Sequence, residues 1–398
     1  MRFRPAPTGV LQGMLLVALA MFLLTVGIGI LNGLDVVTFT HDQLLTHVHS
    51  GTLGWISLSL VAATMWLTRS VEPRLGWALV VTIPIYVAAF FTGSLPARAI
   101  AGTVLLAVVA WTLYWAWSQT RTNRSLPVLA AALGFTIFAW GAFVGVLLQI
   151  QMASGAQIFP ASGDIIGAHA GAMVFGYLIL VAMGLLEWQL KGTTDRPRGG
   201  LAQVVLLFAG GAVISLGLLF LPASLTPVMG MVDLVLELAA IVIFTIRVLP
   251  TALRTAWGAA TGARHIAASA VFVPVAMAAF MYVIVLFITK GPSGLSPRVL
   301  EASDHAAFIG VITNLVLGLI FRATADRGGT TGMVGQVGFW VMNLGLVVFL
   351  LGLLQDSDSL IRVGAPVMGV GILLVIWVAG RRLWGSSLRS AELPAETA

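Results

Sequence analysis

The sequence contains no cysteine and very few charged residues. Without cysteine, the chain has no disulfide, no thiolate metal ligand and no attachment point for a covalent c-type haem. Lys, Arg, Asp and Glu make up 9% of the 398 residues, whereas soluble domains average about 25%. So few charges cannot cover the surface of a 41.9 kDa globule in water. These two shortages exclude a secreted disulfide scaffold, a soluble enzyme and a nucleic-acid-binding protein.

The chain has long apolar runs instead, with 59% apolar residues and a mean hydropathy of +1.01. About 20 apolar residues are enough to cross a bilayer. We therefore predict an all-α membrane protein, a single transmembrane domain over residues 1–398 whose partner is the lipid bilayer. The twelve predicted spans are 10–31, 44–68, 75–92, 97–118, 125–150, 164–187, 200–221, 228–250, 266–289, 300–322, 335–354 and 362–384.

The positions of the basic residues predict the orientation of these spans. With the N-terminus inside, 17 of the 21 Lys and Arg residues fall in inner segments and 4 in outer segments. Cytoplasmic loops carry an excess of Lys and Arg, so both termini are predicted to be cytoplasmic, in a cell inner (plasma) membrane. The net charge of +6 then reflects this inner collar and needs no nucleic-acid partner.

Histidines mark every fourth predicted span. Span 2 begins with His47-Val-His49, span 6 with Gly-Ala-His169, and span 10 with Asp-His305, each followed by small residues. Aligning His49, His169 and His305 gives a weak internal repeat with a period of four helices. We therefore predict three four-helix arcs, at approximately 10–118, 125–250 and 266–384.

The spacing of the histidines on span 2 has a chemical meaning. Residues two apart on a helix lie about 200° apart, so His47 and His49 face different sides and cannot serve one iron together. Two six-coordinate haems need four axial ligands, and four histidines lie at matched depth. A single histidine near a helix end often only hydrogen-bonds at the interface, but a matched set of four favours metal or haem ligation. His41 is predicted to lie in an outer loop, and His265 to be solvated on the cytoplasmic side.

The run His47-Val-His-Ser-Gly-Thr-Leu-Gly-Trp55 resembles the helix of haem–copper oxidase catalytic subunits that carries axial ligands for both haems. Those subunits also have twelve helices in three arcs, although here the order is shifted by one arc. The NnrS family, which comprises twelve-helix haem proteins linked to nitric oxide stress, is similar in order. Its members have a His-x-His on the second helix and a later His helix that ends in an Arg-containing segment, like His305 through Arg322 here.

The resemblance implies one or two b-type haems near the outer face. His49 and His169 would sandwich a low-spin haem, and His47 would hold the second haem, with His305 on its far side. Span 11 lacks the His-His pair of the oxidases, so copper is not expected and oxygen reduction is disfavoured. His305 either ligates the second iron or stands beside an open position that binds nitric oxide, and the sequence leaves both open.

Other polar residues could support such a site. Arg98, after span 3, is the first candidate to pair with a haem propionate, followed by Arg298 and Arg362; each could instead be an interfacial anchor. Asp164 and Asp304 precede His169 and His305, and could orient an imidazole or act as helix N-terminal residues.

Asp233 and Glu237 stand four residues apart on span 8. A carboxylate within a membrane span is a functional hypothesis by default. The pair could relay protons, or Glu237 could pair with an interhelical donor such as Asn314 or Gln149.

Three functions remain open at this stage. The first is a membrane b-type cytochrome that binds nitric oxide or moves electrons between quinol or a soluble carrier and an acceptor; if an enzyme, it is an oxidoreductase. The second is a proton- or metal-coupled secondary transporter, although transporters commonly consist of two halves rather than three arcs. The third is a haem or copper handling factor with the same ligands.

Overall fold

A computed structural model describes residues 8–34, 36–161, 163–290, 296–324, 331–385 and 388. Long helices dominate this part of the chain, which contains no strand. We number them α1 Thr8–Gly33, α2 His41–Thr68, α3 Pro73–Phe91, α4 Leu95–Thr122, α5 Leu126–Ser154, α6 Ile165–Lys191, α7 Arg198–Phe220, α8 Thr226–Leu253, α9 Gly262–Lys290, α10 Pro297–Ala323, α11 Gly332–Leu354 and α12 Asp358–Gly385.

Within the described ranges, 11 of these helices are long and apolar enough to cross a membrane. The exception is α8, which carries Asp233, Glu237 and Arg247. The chain is thus a helical, multi-pass membrane protein. Both termini lie outside the described residues, so their predicted side of the membrane stays a prediction, as do the twelve spans and the three arcs.

The three helices with the histidine motifs begin at side-chain caps. Thr40 and Gln43 form a reciprocal capping box before α2, Asp164 accepts a hydrogen bond from the Gly167 amide at 2.8 Å before α6, and Ser296 caps α10. Such caps satisfy backbone amides that lack a partner within the helix. They fix where each helix starts and therefore the position of the histidines in its first turns. His41, predicted in a loop, is the exposed first residue of α2.

The same three helices each contain a π-helical segment shortly after their histidines. These segments are Ser50–Ser57 in α2, Val174–Ile179 in α6 and Ala306–Thr313 in α10. The hydroxyl of Ser57 donates to the carbonyl of Thr52 at 2.7 Å, and that of Thr313 to the carbonyl of Phe308 at 2.9 Å. Widened turns of this kind are rare and occur often at functional sites.

The helices group into two compact units, Met1–Val80 with Leu249–Ala398, and Val81–Val248. In the first unit, Trp55 stacks on Phe22 of α1 at a centroid distance of 4.6 Å and donates its indole N–H to Thr313 of α10 at 2.9 Å. The first unit therefore has α2 and α10 side by side, with their π-helical segments at the same level. Trp55 is a buried residue that links these helices.

The second unit is held by close helix packing and by a buried ion pair. Gly176 of α6 and Gly211 of α7 approach so closely that a Cβ on Gly176 would lie 2.9 Å from the Gly211 Cα. Arg247 donates to the fully buried Glu187 at 2.6 Å and to Gln203 at 2.9 Å. The pair thereby ties α8 to α6 and α7.

Candidate functional site

His47 lies on α2 with its ring against α1. Its Nδ1 is 2.8 Å from the carbonyl oxygen of Thr25, and its ring passes close to Gly29, where a Cβ would lie 3.0 Å from the ring Cε1. A carbonyl oxygen only accepts hydrogen bonds, so Nδ1 carries the hydrogen and Nε2 keeps its lone pair in the neutral ring. The contact therefore fixes both the tautomer and the orientation of the imidazole.

His169 is held in the same way in the second unit. Its Nδ1 is 2.7 Å from the carbonyl oxygen of Gly141 on α5, and a Cβ on Gly145 would lie 2.9 Å from its Cε1. Here too, Nδ1 is the donor and Nε2 keeps the lone pair. Asp164 caps α6 through the Gly167 amide.

His49 and His305 are held by their own helices. The Nδ1 of His49 is 2.8 Å from the Leu45 carbonyl oxygen, and that of His305 is 2.7 Å from the Glu301 carbonyl oxygen. The His305 ring also packs edge-on against Phe349 of α11, with 5.0 Å between centroids. The partner of His305 Nδ1 is thus a backbone carbonyl rather than the neighbouring Asp304.

In the neutral form of all four rings the lone pair is therefore on Nε2, and all four side chains are only half-buried. Within the part of the chain that the structure describes, the Nε2 atoms of His47, His169 and His305 form no hydrogen bond. A metal-binding histidine characteristically donates its other ring N–H to a carbonyl or carboxylate and binds the metal through the remaining nitrogen. The arrangement suits four imidazoles that each ligate through Nε2.

The structure brings some of the predicted ligands together. His47, His49 and His305 belong to the first unit, where His47 and His305 are close enough to interact electrostatically. His169 belongs to the second unit. No group of three or more His, Asp or Glu side chains that could hold a metal ion occurs among the described residues. The predicted ligand pairs stay predictions.

His265 was predicted to be solvated, and that prediction is wrong. Its side chain is fully buried, with Nδ1 3.1 Å from the Asn314 side-chain oxygen. Asn314 in turn donates to Asn343 at 2.8 Å, and the His265 ring packs edge-on against Phe339 at 4.7 Å. Its neighbour Arg264, which suggested a solvent-facing end, is itself buried and donates to the Gly335 carbonyl at 3.1 Å.

The predicted propionate arginines have different surroundings. Arg98 is almost fully buried in the second unit, donates to the Phe90 carbonyl at 3.2 Å and lies over the Phe90 ring at 4.6 Å. Arg298 forms two ion pairs, with Asp356 and Asp358, both at 2.7 Å. Arg362 is exposed. Burial distinguishes Arg98 from the other two.

Asp233 and Glu237 form a buried carboxyl pair on α8. Their exposed fractions are 2% and 1%, and the two groups hydrogen-bond to each other. Gly210 of α7 lies against both, since a Cβ there would be 2.8 Å from the Glu237 Cγ and 3.1 Å from the Asp233 Oδ1. Two buried carboxyl groups this close together cannot both be ionised at low cost, so burial and mutual repulsion favour protonation of one of them. Asn314, one of the predicted donors to Glu237, bonds to His265 and Asn343 in the first unit.

Sequence reasoning missed the glycines beside the histidines and the three π-helical segments. The glycines were invisible because 44 glycines are spread along the chain and their partners are distant in sequence. Their position on the preceding span, about 20 residues before a histidine, is the only sequence signal that could have found them.

Comparison with known proteins finds no protein-family model that matches the chain and no curated protein with significant similarity.

Proposed function

We propose that the chain is an integral-membrane b-type haem protein of the kind represented by NnrS and the haem–copper oxidase catalytic subunits. The proposal also includes twelve membrane spans in three four-helix arcs. We propose that the protein lies in the inner membrane of the cell, with both termini on the cytoplasmic side. The observation that carries it is the shared state of His47, His49, His169 and His305: Nδ1 donates to a backbone carbonyl, which puts the lone pair of the neutral ring on Nε2.

The donor set fits haem iron. Neutral imidazole is the usual axial ligand of b-type haem, and a backbone carbonyl that accepts from Nδ1 makes the imidazole a better donor. We propose that His49 and His169 would hold a low-spin haem, and that His47 would hold a second one, with His305 either as a ligand of that iron or beside an open position. Arg98 is the propionate partner because it is the buried cation of the three candidates.

A bound haem supplies reversible one-electron chemistry and, where one axial position is open, a site for nitric oxide. The backbone carbonyls of the chain orient the imidazoles. Quinol or a soluble carrier would deliver electrons. Copper is not part of the proposal, since α11 lacks the His-His pair.

A proton-coupled transporter is the second candidate. The buried pair Asp233 and Glu237 favours it, since a shared proton at an intramembrane carboxyl pair is a means of proton coupling. In the haem protein the same pair serves as a proton relay.

The experiment is a reduced-minus-oxidised absorption spectrum of the detergent-purified protein, with haem quantified and nitric oxide then added. We expect sharp b-type bands at one to two haems per chain, and a shift with nitric oxide where one iron has an open position. Haem that is lost on dialysis would favour the handling factor, and a colourless protein would favour the transporter.

A further inference from the structure

His47 and His169 sit in the same local structure, although they belong to different units. In each case the carbonyl acceptor and the glycine beside the ring are four residues apart on the preceding helix, Thr25 with Gly29 and Gly141 with Gly145. Residues four apart lie one above the other on a helix face. The ring therefore spans one turn of that helix, with its Nδ1 on a carbonyl and its edge over a glycine.

The match continues along both helices. Four residues after His47, Gly51 lies against Thr25, and a Cβ on Gly51 would be 3.2 Å from the Thr25 Cγ2. Four residues after His169, Met173 lies against Gly141, and a Cβ on Gly141 would be 3.0 Å from the Met173 Cε. Seven residues after His47 and His169 come Gly54 and Gly176. Gly54 lies against Met21 and Gly176 lies against Ile137, and each of these two contacted residues comes four residues before the carbonyl acceptor of its unit. Ten residues after the two histidines both π-helical segments end, at Ser57 and Ile179.

Helix α10, the third helix with a histidine motif, has a corresponding glycine contact and a corresponding π-helical segment. Gly310 lies against Phe272 of α9, and the π-helical segment ends three residues later at Thr313. Counting back by the same intervals places Ser303 at the position of His47 and His169. The same count places His305 at the position of His49. In each of these two histidines, Nδ1 donates to the carbonyl oxygen four residues earlier in the same helix. The contacts thus match His47, rather than His49, with His169.

We propose that Gly29 and Gly145 are positioning residues that seat the imidazoles of His47 and His169 for haem ligation, an inference that rests on the proposed function. A methyl group on Gly145 would lie 2.9 Å from Cε1 and 3.0 Å from Nδ1 of His169, closer than side chains normally approach. The ring could move away only by giving up its 2.7 Å hydrogen bond, and that bond directs Nε2. A methyl group on Gly29 would be less crowded, at 3.0 Å from Cε1 and 3.5 Å from Nδ1 of His47.

The test compares Gly145→Ala and Gly29→Ala with matched controls. Gly27→Ala and Gly230→Ala are the controls, since a Cβ at either position has no atom within 4 Å. Displacing a partner that orients a metal ligand weakens metal binding about 10- to 100-fold. We expect Gly145→Ala to weaken the affinity for haem by at least about 10-fold and to alter the electron paramagnetic resonance signal of the haem that remains bound. Gly29→Ala should have a smaller effect of the same kind, and both controls should keep wild-type haem content and signal.

A double-mutant cycle of Gly145→Ala and His169→Ala tests the contact between the added methyl group and the His169 ring. Its readout is the stability of the protein rather than the binding of haem. In the wild-type background Gly145→Ala should lower the melting temperature by about 2–4 °C, whereas in the His169→Ala background it should have no such effect, because the ring is gone. Gly230→Ala should leave the melting temperature unchanged or slightly raised in both backgrounds. The cycle remains informative if Gly145→Ala folds poorly, since folded yield then takes the place of melting temperature.

The outcomes separate this inference from the proposed function. An equal effect of Gly145→Ala in both backgrounds, or unchanged haem in Gly145→Ala, overturns the positioning role while the haem function stands. A wild-type protein without haem overturns the haem function and the positioning for haem, and coupling in the cycle would then support only the seating of the ring.

Discussion

His169 and His265 illustrate two uses of a histidine inside one membrane protein. Both rings donate from Nδ1, to the Gly141 carbonyl in one case and to the Asn314 side chain in the other. They differ in their surroundings: His169 is half-buried, whereas His265 is completely enclosed and packs against Phe321 and Phe339. Sequence alone does not separate the two, since each lies near the beginning of an apolar helix.

Access to Nε2, rather than the presence of a histidine in a span, therefore distinguishes a candidate ligand from a structural residue. His47, His49 and His305 are half-buried like His169. His265 is therefore the internal control for the proposed ligand set, and the following variants test that distinction.

The largest expected effect is the loss of a whole haem. His47→Ala and His49→Ala should each remove the absorption of one haem and keep that of the other, since the two residues are proposed to serve different irons. The double variant should be colourless. Haem quantification and reduced-minus-oxidised spectra measure this, with Gly27→Ala as the folded control.

Loss of the same haem in both single variants would contradict the assignment to two irons. Full haem retention in the double variant would contradict ligation by α2 altogether.

An intermediate effect is expected at His265. His265→Ala removes one of the two donors to the Asn314 side-chain oxygen, which keeps the Asn343 amide at 3.3 Å, and opens a cavity beside Phe339. A lost hydrogen bond costs about 0.5–1.5 kcal/mol, and a cavity adds to that loss, so the sum is about 1–3 kcal/mol. We expect a loss of stability of this size with an unchanged amount of bound haem, measured by thermal unfolding in detergent.

Asn314→Ala is the companion variant, since it removes the acceptor from the same bond. If His265→Ala lost haem as His49→Ala does, the distinction between the two kinds of histidine would be wrong.

The sequence predicted the helical membrane class and the approximate position of nearly every helix, because apolar runs and polar caps are local features. It did not predict the burial of His265, since its partners Asn314 and Phe339 lie 49 and 74 residues away and only packing brings them together. The register of the weak repeat is difficult to predict for a similar reason. Residue types favoured aligning His49 with His169, whereas the contacts with Thr25 and Gly141 match His47 with His169.

The smallest effect is expected at the carboxyl pair, which extends the comparison to acids. Asp233→Asn or Glu237→Gln should change stability by less than about 1 kcal/mol, since an amide N–H can replace the shared proton as the donor between the two groups. Thermal unfolding measures this, and a proton-linked activity should be lost in the same variants.

Glu237→Ala is the contrasting variant, because it leaves Asp233 buried without its partner. Equal stability of Glu237→Ala and Glu237→Gln would show that the hydrogen bond between the two groups contributes nothing.

The most direct test of the central claim is the haem-to-protein ratio of His169→Ala and His265→Ala, purified side by side with the wild type. We expect His169→Ala to lose the low-spin haem and His265→Ala to keep the wild-type ratio. Equal ratios in the two variants, or a wild-type protein without haem, would contradict the claim.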